Sequence, residues 1–337
     1  MLPTSFCTAP ARAANGSFAT IPAREDADLR FFAPGGGVTT GARALAAMRT
    51  KPGLVLWVAG NQFFAMERVV RDFQRSSRAA NVAVGVVTLP PGLELQAILD
   101  GGFTYGGRAY PGRPDVYATV DLAALRALRR AGLMRDYTTY AHNELQIMVA
   151  RGNPKHIVSV ADLVRPGVRT SMPNPVDEGI MTVYAEPMLV RHRIWQRIAA
   201  GKSCRACYTT SDNWFTAVHH RETPARIASD RSDAGIVWRT EVLNAERAGA
   251  PVEGVSLPEA DSRRANVTYL AGALASSNRP KIAARYLAFL ASTQGQRAYA
   301  AFGFVPATPQ ERVTRAIALL RVRNRIGRVV IARVEQR

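Results

Sequence analysis

The segment spanning residues 54–77 constrains the fold of this chain more than any other stretch. Residues 54–58 form a short apolar run without alternation, which is typical of a strand buried on both faces. Gly60 and Asn61 follow as a tight turn. The next residues place an apolar stripe at helical spacing, namely Phe63, Met66, Val70 and Phe73. Such a strand–turn–helix unit directs backbone N–H groups to the sheet edge where open α/β folds bind ligands, so a ligand edge is predicted here.

Composition limits the classes of protein to which the chain can belong. Its 337 residues, 47% of them hydrophobic, suffice for one large or two ordinary domains. The net charge of +18 and the pI near 10.8 come mostly from scattered arginines, and the tail 311–337 holds eight arginines against two glutamates. Scattered arginine is more typical of a solvated surface than of a phosphate track, so we expect no nucleic-acid partner. No apolar run reaches the ~18 residues of a membrane span, so no transmembrane segment is predicted.

Residues 1–50 differ in composition from the rest. They are rich in Ala, Gly and Pro and include the triple glycine 35–37, which follows no convincing buried strand and is interpreted as part of a flexible leader. The small residues at 9–14 look like the end of an export signal. No charged start followed by an apolar stretch, typical of a signal peptide, is evident in the first 50 residues. A periplasmic or extracytoplasmic location is expected, with the export signal missing or truncated, and one hypothesis is that the true start lies upstream of Met1.

From residue 51 to about residue 308, predicted strands alternate with predicted helices. This alternation favours an α/β fold of two doubly wound lobes. One long helical region is predicted over 178–199. The remaining residues, 309–337, are predicted to form a basic C-terminal tail.

Six short motifs occur in a fixed order between residues 52 and 308. They are WVAGNQF at 57–63, RGNP at 151–154, SVADL at 159–163, PGVR at 166–169, DAGIVW at 233–238, and FL, STQGQ and FGF within 289–304. Together they resemble the type II periplasmic solute-binding proteins of ABC importers, and within these the molybdate-binding family.

The resemblance implies a two-lobed fold with a two-crossover hinge and one ligand clamped between the lobes. Lobe one would comprise 51–138 plus 265–308, and lobe two 139–264. The implied function is capture of a small polar or anionic solute, with a molybdate-like oxyanion favoured, by a monomer that delivers it to an ABC permease. No cofactor and no enzymatic activity are predicted. The open alternatives are a solute-sensing module for a receptor and an enzyme on the same frame.

Candidate ligand-binding residues follow from matching the family's binding loops. They are Asn61, Thr88, Gly92, Asn174, Ser211, Asn213 and Trp238. Structural alternatives stay open, because Asn61 is also a good helix N-cap and Trp238 either walls the pocket or belongs to the core. Two features disfavour a bare oxyanion: the prolines at 90–91 remove two N–H donors, and a carboxylate of Asp177 or Glu178 facing the cleft would repel an anion.

The most unusual constellation is Cys204-x-x-Cys207 followed by His219, His220 and Glu222. Its residue types resemble a zinc or copper site, whereas a short C-x-x-C in an exported chain more often forms a local disulfide. A disulfide is favoured, with a metal site and free thiols as alternatives. Adjacent histidines on a helix point about 100° apart and do not easily face one ion, so surface or hinge roles are expected for them.

Overall fold

The computed structural model describes residues 18–21, 26–50, 53–76, 79–199, 212–217, 219–264, 266–318, 322–323 and 329–330. Within these residues the chain forms two α/β lobes, each built on its own mixed sheet. Among the described residues, no helix combines the length and the apolar character needed to cross a bilayer. Three predicted residues lie outside the described residues, namely Cys204, Cys207 and Ser211.

The strands are numbered in chain order. They are β1 (Ala19–Ile21), β2 (Leu29–Phe32), β3 (Val38–Thr40), β4 (Gly53–Val58), β5 (Ala83–Val87), β6 (Gly102–Tyr105), β7 (Arg108–Pro111), β8 (Val116–Thr119), β9 (Asp136–His142), β10 (Leu145–Ala150), β11 (Thr170–Met172), β12 (Asn213–Phe215), β13 (Ala234–Trp238), β14 (Val252–Ser256), β15 (Thr268–Ala273), β16 (Val305–Pro306), β17 (Arg315–Ala316), β18 (Val322–Arg323) and β19 (Val329–Val330).

The α-helices are numbered in the same way. They are α1 (Gly41–Thr50), α2 (Met66–Arg75), α3 (Pro91–Asp100), α4 (Leu122–Arg130), α5 (Glu186–Arg191), α6 (Trp195–Ile198), α7 (Thr223–Ala228), α8 (Arg239–Arg247), α9 (Glu259–Ser262), α10 (Pro280–Ala291) and α11 (Thr293–Ala300). Short 3-10 turns span Asp26–Asp28, Gly60–Gln62, Val160–Val164 and His220–Glu222, and a π-helical turn spans Ile180–Ala185.

The larger sheet, in lobe one, has nine strands. Its main path runs β16-β9-β15-β8-β4-β5-β2-β3, and β17 pairs with β9. Strands β5, β4 and β8 are parallel, and their buried apolar runs are covered on both faces, as predicted for 54–58. Because they are parallel, their carboxyl ends lie along one edge, and the turns that follow them face lobe two.

The smaller main sheet, in lobe two, runs β12-β11-β13-β10-β14. Strand β11 is parallel to β12 and β13, whereas β10 is antiparallel to β13 and β14. The chain enters this lobe between β9 and β10 and leaves it between β14 and β15. Two further small sheets are β1-β6-β7 and β18-β19.

The predicted flexible leader needs correction, because residues 26–50 are part of lobe one. Strand β2 pairs antiparallel with β5, and β3 forms a hairpin with β2. Leu29 and Phe32 are fully buried, which explains why this segment joins the sheet although its composition is typical of a leader. The tail prediction changes in the same way, since β17 pairs with β9 and Ile317 is buried.

The single long helix predicted over 178–199 is also wrong. The segment is divided into the π-helical turn, α5 and α6. Pro187 lies in the first turn of α5, where it supplies no N–H to the preceding turn. Arg193 has φ +58, a left-handed conformation that ends α5 before α6 begins.

Both main sheets contain parallel and antiparallel strand pairs. The sheet of an ideal doubly wound lobe would be largely parallel. In lobe one, β9 and β15 run antiparallel to their neighbours beside the crossovers, and β2 runs antiparallel to β5. In lobe two, β10 runs antiparallel to β13 and β14. Strand β9 also continues to His142, so the sheet of lobe one extends beyond the predicted boundary at residue 138.

Candidate functional site

The two lobes meet where the turns after β4, β5 and β8 face lobe two. The Gly92 N–H donates to the Asp177 carbonyl oxygen at 3.0 Å. A Cβ atom on Gly92 would lie 2.9 Å from Asp177 Cα, and one on Gly60 would lie 2.9 Å from His219 Cε1. Both positions therefore need glycine for the lobes to approach this closely. The structure has the lobes in contact across the cleft.

Four buried side chains with neutral hydrogen-bond donors meet at the hinge end of this cleft. They are Asn61, Asn143, Thr240 and Tyr269, which we call the neutral-donor cluster. The amides of Asn61 and Asn143 both donate to the Tyr269 hydroxyl oxygen, the latter at 3.0 Å. Asn143 Nδ2 also donates to Thr240 Oγ1 at 2.9 Å.

The fold explains why these side chains converge. Asn61 lies in the turn after β4 of lobe one, and Thr240 lies in the first turn of α8 of lobe two. Asn143 and Tyr269 belong to the two connections between the lobes, just after β9 and near the start of β15. Burial raises the pKa of Tyr269, which therefore stays a neutral hydroxyl. Both amides use its oxygen as acceptor, so its proton is available to a ligand oxygen.

Aromatic rings close one side of the cluster. Trp238, at the end of β13, is 1% exposed, and its ring lies 5.5 Å from Tyr184 and 6.5 Å from Tyr269. The Tyr184 hydroxyl donates to the Val120 carbonyl at 2.9 Å, which ties lobe two to the turn after β8. Burial raises the pKa of Tyr184 to about 12, so this donor is retained at ordinary pH.

A second, charged group lies beside the neutral-donor cluster. His220 Nδ1 is 2.9 Å from Glu178 Oε2, and His220 Nε2 is 2.5 Å from Glu241 Oε1. The three side chains are almost fully buried, and we call them the His220 triad. Burial opposes a charged imidazole, but the two carboxylates outweigh it and raise the pKa of His220 to about 10. Burial alone would raise the pKa of Glu178, but His220 and His219 reverse this and lower it.

A salt-bridged contact also joins the lobes through Asp28, which precedes β2. Its carboxylate lies 3.1 Å from His219 Nε2 and 2.5 Å from the Arg221 guanidinium, both from lobe two. The Arg221 guanidinium lies 4.3 Å above the Phe63 ring, and that of Arg30 lies 4.3 Å from the same ring. We call these Asp28 contacts the lobe latch.

The remaining predicted ligand residues make contacts within the protein. Thr88 Oγ1 donates to Asp28 Oδ1 at 2.7 Å, and the Gly92 N–H donates to the Asp177 carbonyl oxygen. Asn174 Nδ2 donates to two carbonyl oxygens of the 216–217 segment, and Asn213 Oδ1 accepts from a threonine of β11 at 2.7 Å. Among the predicted residues, only Asn61 and Trp238 contact Tyr269 in the described part of the chain.

The described residues of the alternative metal site do not lie where the sequence predicted them. His219 and His220 are buried, not at the surface, and both flank the carboxylate of Glu178. The helical-spacing argument fails because His219 is extended, with φ −121° and ψ 137°. Glu222 Oε1 accepts a hydrogen bond from the Ala217 N–H instead. Within the described segments, no three His, Cys, Asp or Glu side chains are grouped to hold a metal ion.

Four residues that lie at the contact between the lobes were not predicted from the sequence. Tyr269 lies in a hinge strand, Asn143 beside one, and Thr240 in the first turn of α8, and no polar motif in the sequence marked any of them. Asp28 lay in the segment taken as a leader. A usable signal for Asn143 was its position immediately before the strand at 145–150, where the chain changes lobe.

The comparison with protein families decides the class of the chain. The family of bacterial extracellular solute-binding proteins matches residues 54–305, which is most of the chain. The chain belongs to this family. The activity of this family is solute binding and not catalysis. The resemblance to solute-binding proteins inferred from the motifs is therefore confirmed.

Individual relatives are more distant. The molybdate-binding protein ModA of Mycobacterium tuberculosis is 27% identical over 191 residues, 56% of this chain and 65% of that protein, so the chain spans about two thirds of its length. The sulfate-binding protein SubI of M. tuberculosis H37Rv has a TM-score of 0.57 at 20% identity, covering 77% of this chain and 88% of that one. The periplasmic molybdate-binding protein of Azotobacter vinelandii has a TM-score of 0.56 at 16% identity, covering 76% and 100%. These structures confirm the two-lobed fold.

Proposed function

We propose that this protein captures a small oxyanion of the molybdate type outside the cytoplasm and delivers it, as a monomer, to an ABC permease. The solute would bind at the neutral-donor cluster. The observation that carries the proposal is that neutral N–H and O–H donors from both lobes and both crossovers converge on one buried point. The mycobacterial relatives named as molybdate-binding proteins support the choice of solute.

Neutral donors suit an oxyanion because they stabilise its charge without a fixed counter-charge of their own. Each donor left unpaired by a wrong solute costs about 1–3 kcal/mol, which gives selectivity. Repulsion from the predicted acid Glu178 is reduced, because His220 holds a positive charge against it. The Glu241 carboxylate likewise lies against His220 and accepts a hydrogen bond from the backbone N–H of Trp238.

Binding requires the cluster to exchange its partners. In the present structure the Asn61 and Asn143 amides donate to Tyr269, whereas with solute bound they would donate to oxyanion oxygens. Because Asn61 belongs to lobe one and Thr240 to lobe two, a solute held by both would favour the closed arrangement.

The test combines a ligand panel with one matched pair of variants. Thermal shift and isothermal titration would use molybdate, tungstate, sulfate and phosphate. A solute at 100 times its Kd adds about 2.7 kcal/mol of stability, which is readily measured. The variant Tyr269→Phe removes the central hydroxyl. Tyr286→Phe is the control, because Tyr286 is equally buried and packs against Phe73 and Phe289 and not in the neutral-donor cluster.

We expect molybdate or tungstate binding in the wild-type protein and in Tyr286→Phe, with affinity reduced about 10- to 100-fold in Tyr269→Phe, since a hydrogen bond to a charged group contributes about 1.5–3 kcal/mol. Silence of the wild-type protein across the whole panel contradicts the oxyanion. Equal affinity of Tyr269→Phe and the control contradicts the location.

A further inference from the structure

A cavity of about 460 Å³ lies between the lobes, and Tyr184 is among the residues that line it. Arg126 from α4 of lobe one and Arg263, which follows α9 on the other side, both line it. Polar residues of the hinge strands, including Thr139 and Thr268, also line it. The volume lies in the range of small-molecule sites, which is about 300–1,000 Å³.

The two arginines are the unusual feature of this cavity. The Nε atoms of Arg126 and Arg263 are buried and have no hydrogen-bond partner within the described part of the chain. Buried donors without acceptors are rare in proteins, and each needs an explanation. Arg263 also has φ +57, a left-handed conformation that is uncommon for a residue with a side chain.

The acids that line the cavity are engaged with other groups. Asp121 caps α4, its carboxylate accepting from the Ala123 N–H at 2.7 Å. The Glu311 carboxylate accepts from the Thr308 N–H and hydroxyl and lies 3.2 Å from His142. Neither acid forms a hydrogen bond to Arg126 or Arg263 among the described residues. A third arginine that lines the cavity, Arg315, donates from Nη2 to the Gln310 carbonyl oxygen at 3.2 Å. Arg126 and Arg263 are therefore the lining arginines whose Nε–H donors lack an acceptor among the described residues, and an external anion would supply one.

The apolar lining indicates the kind of anion. Leu122, Val183 and Leu270 contribute to the wall. A bare inorganic oxyanion would leave this surface in contact with water, whereas a carbon frame would cover it. Guanidinium groups match carboxylate and phosphate groups in geometry and charge.

We propose that this arginine cavity is a second binding site, for a small organic anion whose carboxylate or phosphate group is held by Arg126 and Arg263. The carbon frame of the anion lies against the apolar wall. Because the two arginines belong to opposite sides of the cleft, the bound anion bridges the lobes. The site is separate from the neutral-donor cluster, and the proposal does not depend on the oxyanion assignment.

The experiment uses the full chain and three probes: benzoate, phenyl phosphate and inorganic phosphate. Binding is measured by isothermal titration to wild type and to three variants, Arg126→Gln, Arg263→Gln and Arg130→Gln. Arg130 lies exposed on the same helix as Arg126, so its variant carries the same charge change without touching the cavity.

We expect at least one of the two aromatic anions to bind wild type and Arg130→Gln equally, and to bind Arg126→Gln and Arg263→Gln at least tenfold more weakly. Inorganic phosphate binds at least tenfold more weakly than the aromatic anion that binds. Preference for benzoate or for phenyl phosphate distinguishes a carboxylate from a phosphate ligand. Absence of binding by both aromatic anions overturns the proposal, as does equal weakening in Arg130→Gln. Where phenyl phosphate binds, equal affinity of inorganic phosphate also overturns it.

A separate control distinguishes this proposal from the proposed function. The variant Tyr269→Phe retains aromatic-anion binding, and Arg126→Gln retains molybdate binding. Loss of aromatic-anion binding in Tyr269→Phe overturns the separate site, whatever the panel of inorganic oxyanions shows.

Discussion

The substitution His220→Gln removes the positive charge from the centre of the His220 triad. Glu178 and Glu241 then remain buried beside each other with no cation between them. Glutamine keeps a hydrogen-bonding group of similar size at the position, so the main change is the charge. We expect a large loss of stability, because a buried carboxylate deprived of its partner is costly.

The magnitude can be worked from the pKa of His220. It rises from 6.5 to about 10 in the folded protein. At about 1.36 kcal/mol for each unit of pKa shift, the shift corresponds to about 5 kcal/mol of favourable interaction between the charged imidazole and its surroundings in the folded protein. Breaking a buried ion pair generally costs about 3–5 kcal/mol, so we expect His220→Gln to lower the free energy of unfolding by about 4 kcal/mol.

The sign of the pH dependence follows from the direction of the shift. Since folding raises the pKa of His220, its contribution is fully present below pH 6.5 and is lost as the pH rises through about 10. Folding lowers the pKa of Glu178, so its contribution is present above its ordinary value of about 4.5 and is lost as the pH falls through its lowered folded pKa. The difference between wild type and variant should therefore be largest near pH 6 and smallest above pH 10.

The assay is equilibrium urea unfolding at pH 6, 8 and 10. His156→Gln is the matched control, because His156 is exposed, and we expect it to change stability by less than about 0.5 kcal/mol. The double variant His220→Gln/Glu178→Gln should recover part of the loss, since it also removes one unpaired charge. A loss below about 1 kcal/mol for His220→Gln, constant from pH 6 to pH 10, would refute the reasoning.

Three further substitutions test the closed cleft and the core beneath it. Gly92→Ala places a Cβ 2.9 Å from Asp177 Cα, so overpacking of about 1–3 kcal/mol should weaken solute binding roughly tenfold in a titration; unchanged affinity would mean that the lobes do not close at this contact. Asp28→Asn removes the carboxylate of the lobe latch from Arg221 and should increase the radius of gyration of the solute-free protein in small-angle scattering, whereas an unchanged radius would contradict the latch. Gln62→Leu removes the acceptor of two buried tyrosine hydroxyls and should lower the unfolding free energy by about 2 kcal/mol, and a thermal midpoint equal to wild type would argue against that network.

The parallel strands of lobe one and the polar residues that end them could be predicted from the sequence. The strand that precedes Asn61 was predicted from its unbroken apolar run, which a single sequence displays directly. Asn61 and Trp238 themselves were predicted by matching the family's binding loops. Their role as ligand contacts stays a prediction.

The remaining features depend on pairings that are distant in sequence. Tyr269 joins Asn61 across 208 residues, and Asp28 joins His219 across 191. No local pattern marks either partner, and the composition around Asp28 is typical of a leader. His220 was expected at a surface or hinge because adjacent histidines on a helix do not easily face one ion, and only tertiary packing brings two glutamates to its ring.

Anomalous diffraction from a crystal grown with tungstate tests the central claim most directly, because it locates the solute without assumptions about affinity. The account predicts one strong tungsten peak between the lobes, within hydrogen-bonding distance of Asn61, Tyr269 and Thr240. A peak elsewhere in the cleft, or none at a tungstate concentration that saturates binding in solution, would contradict it.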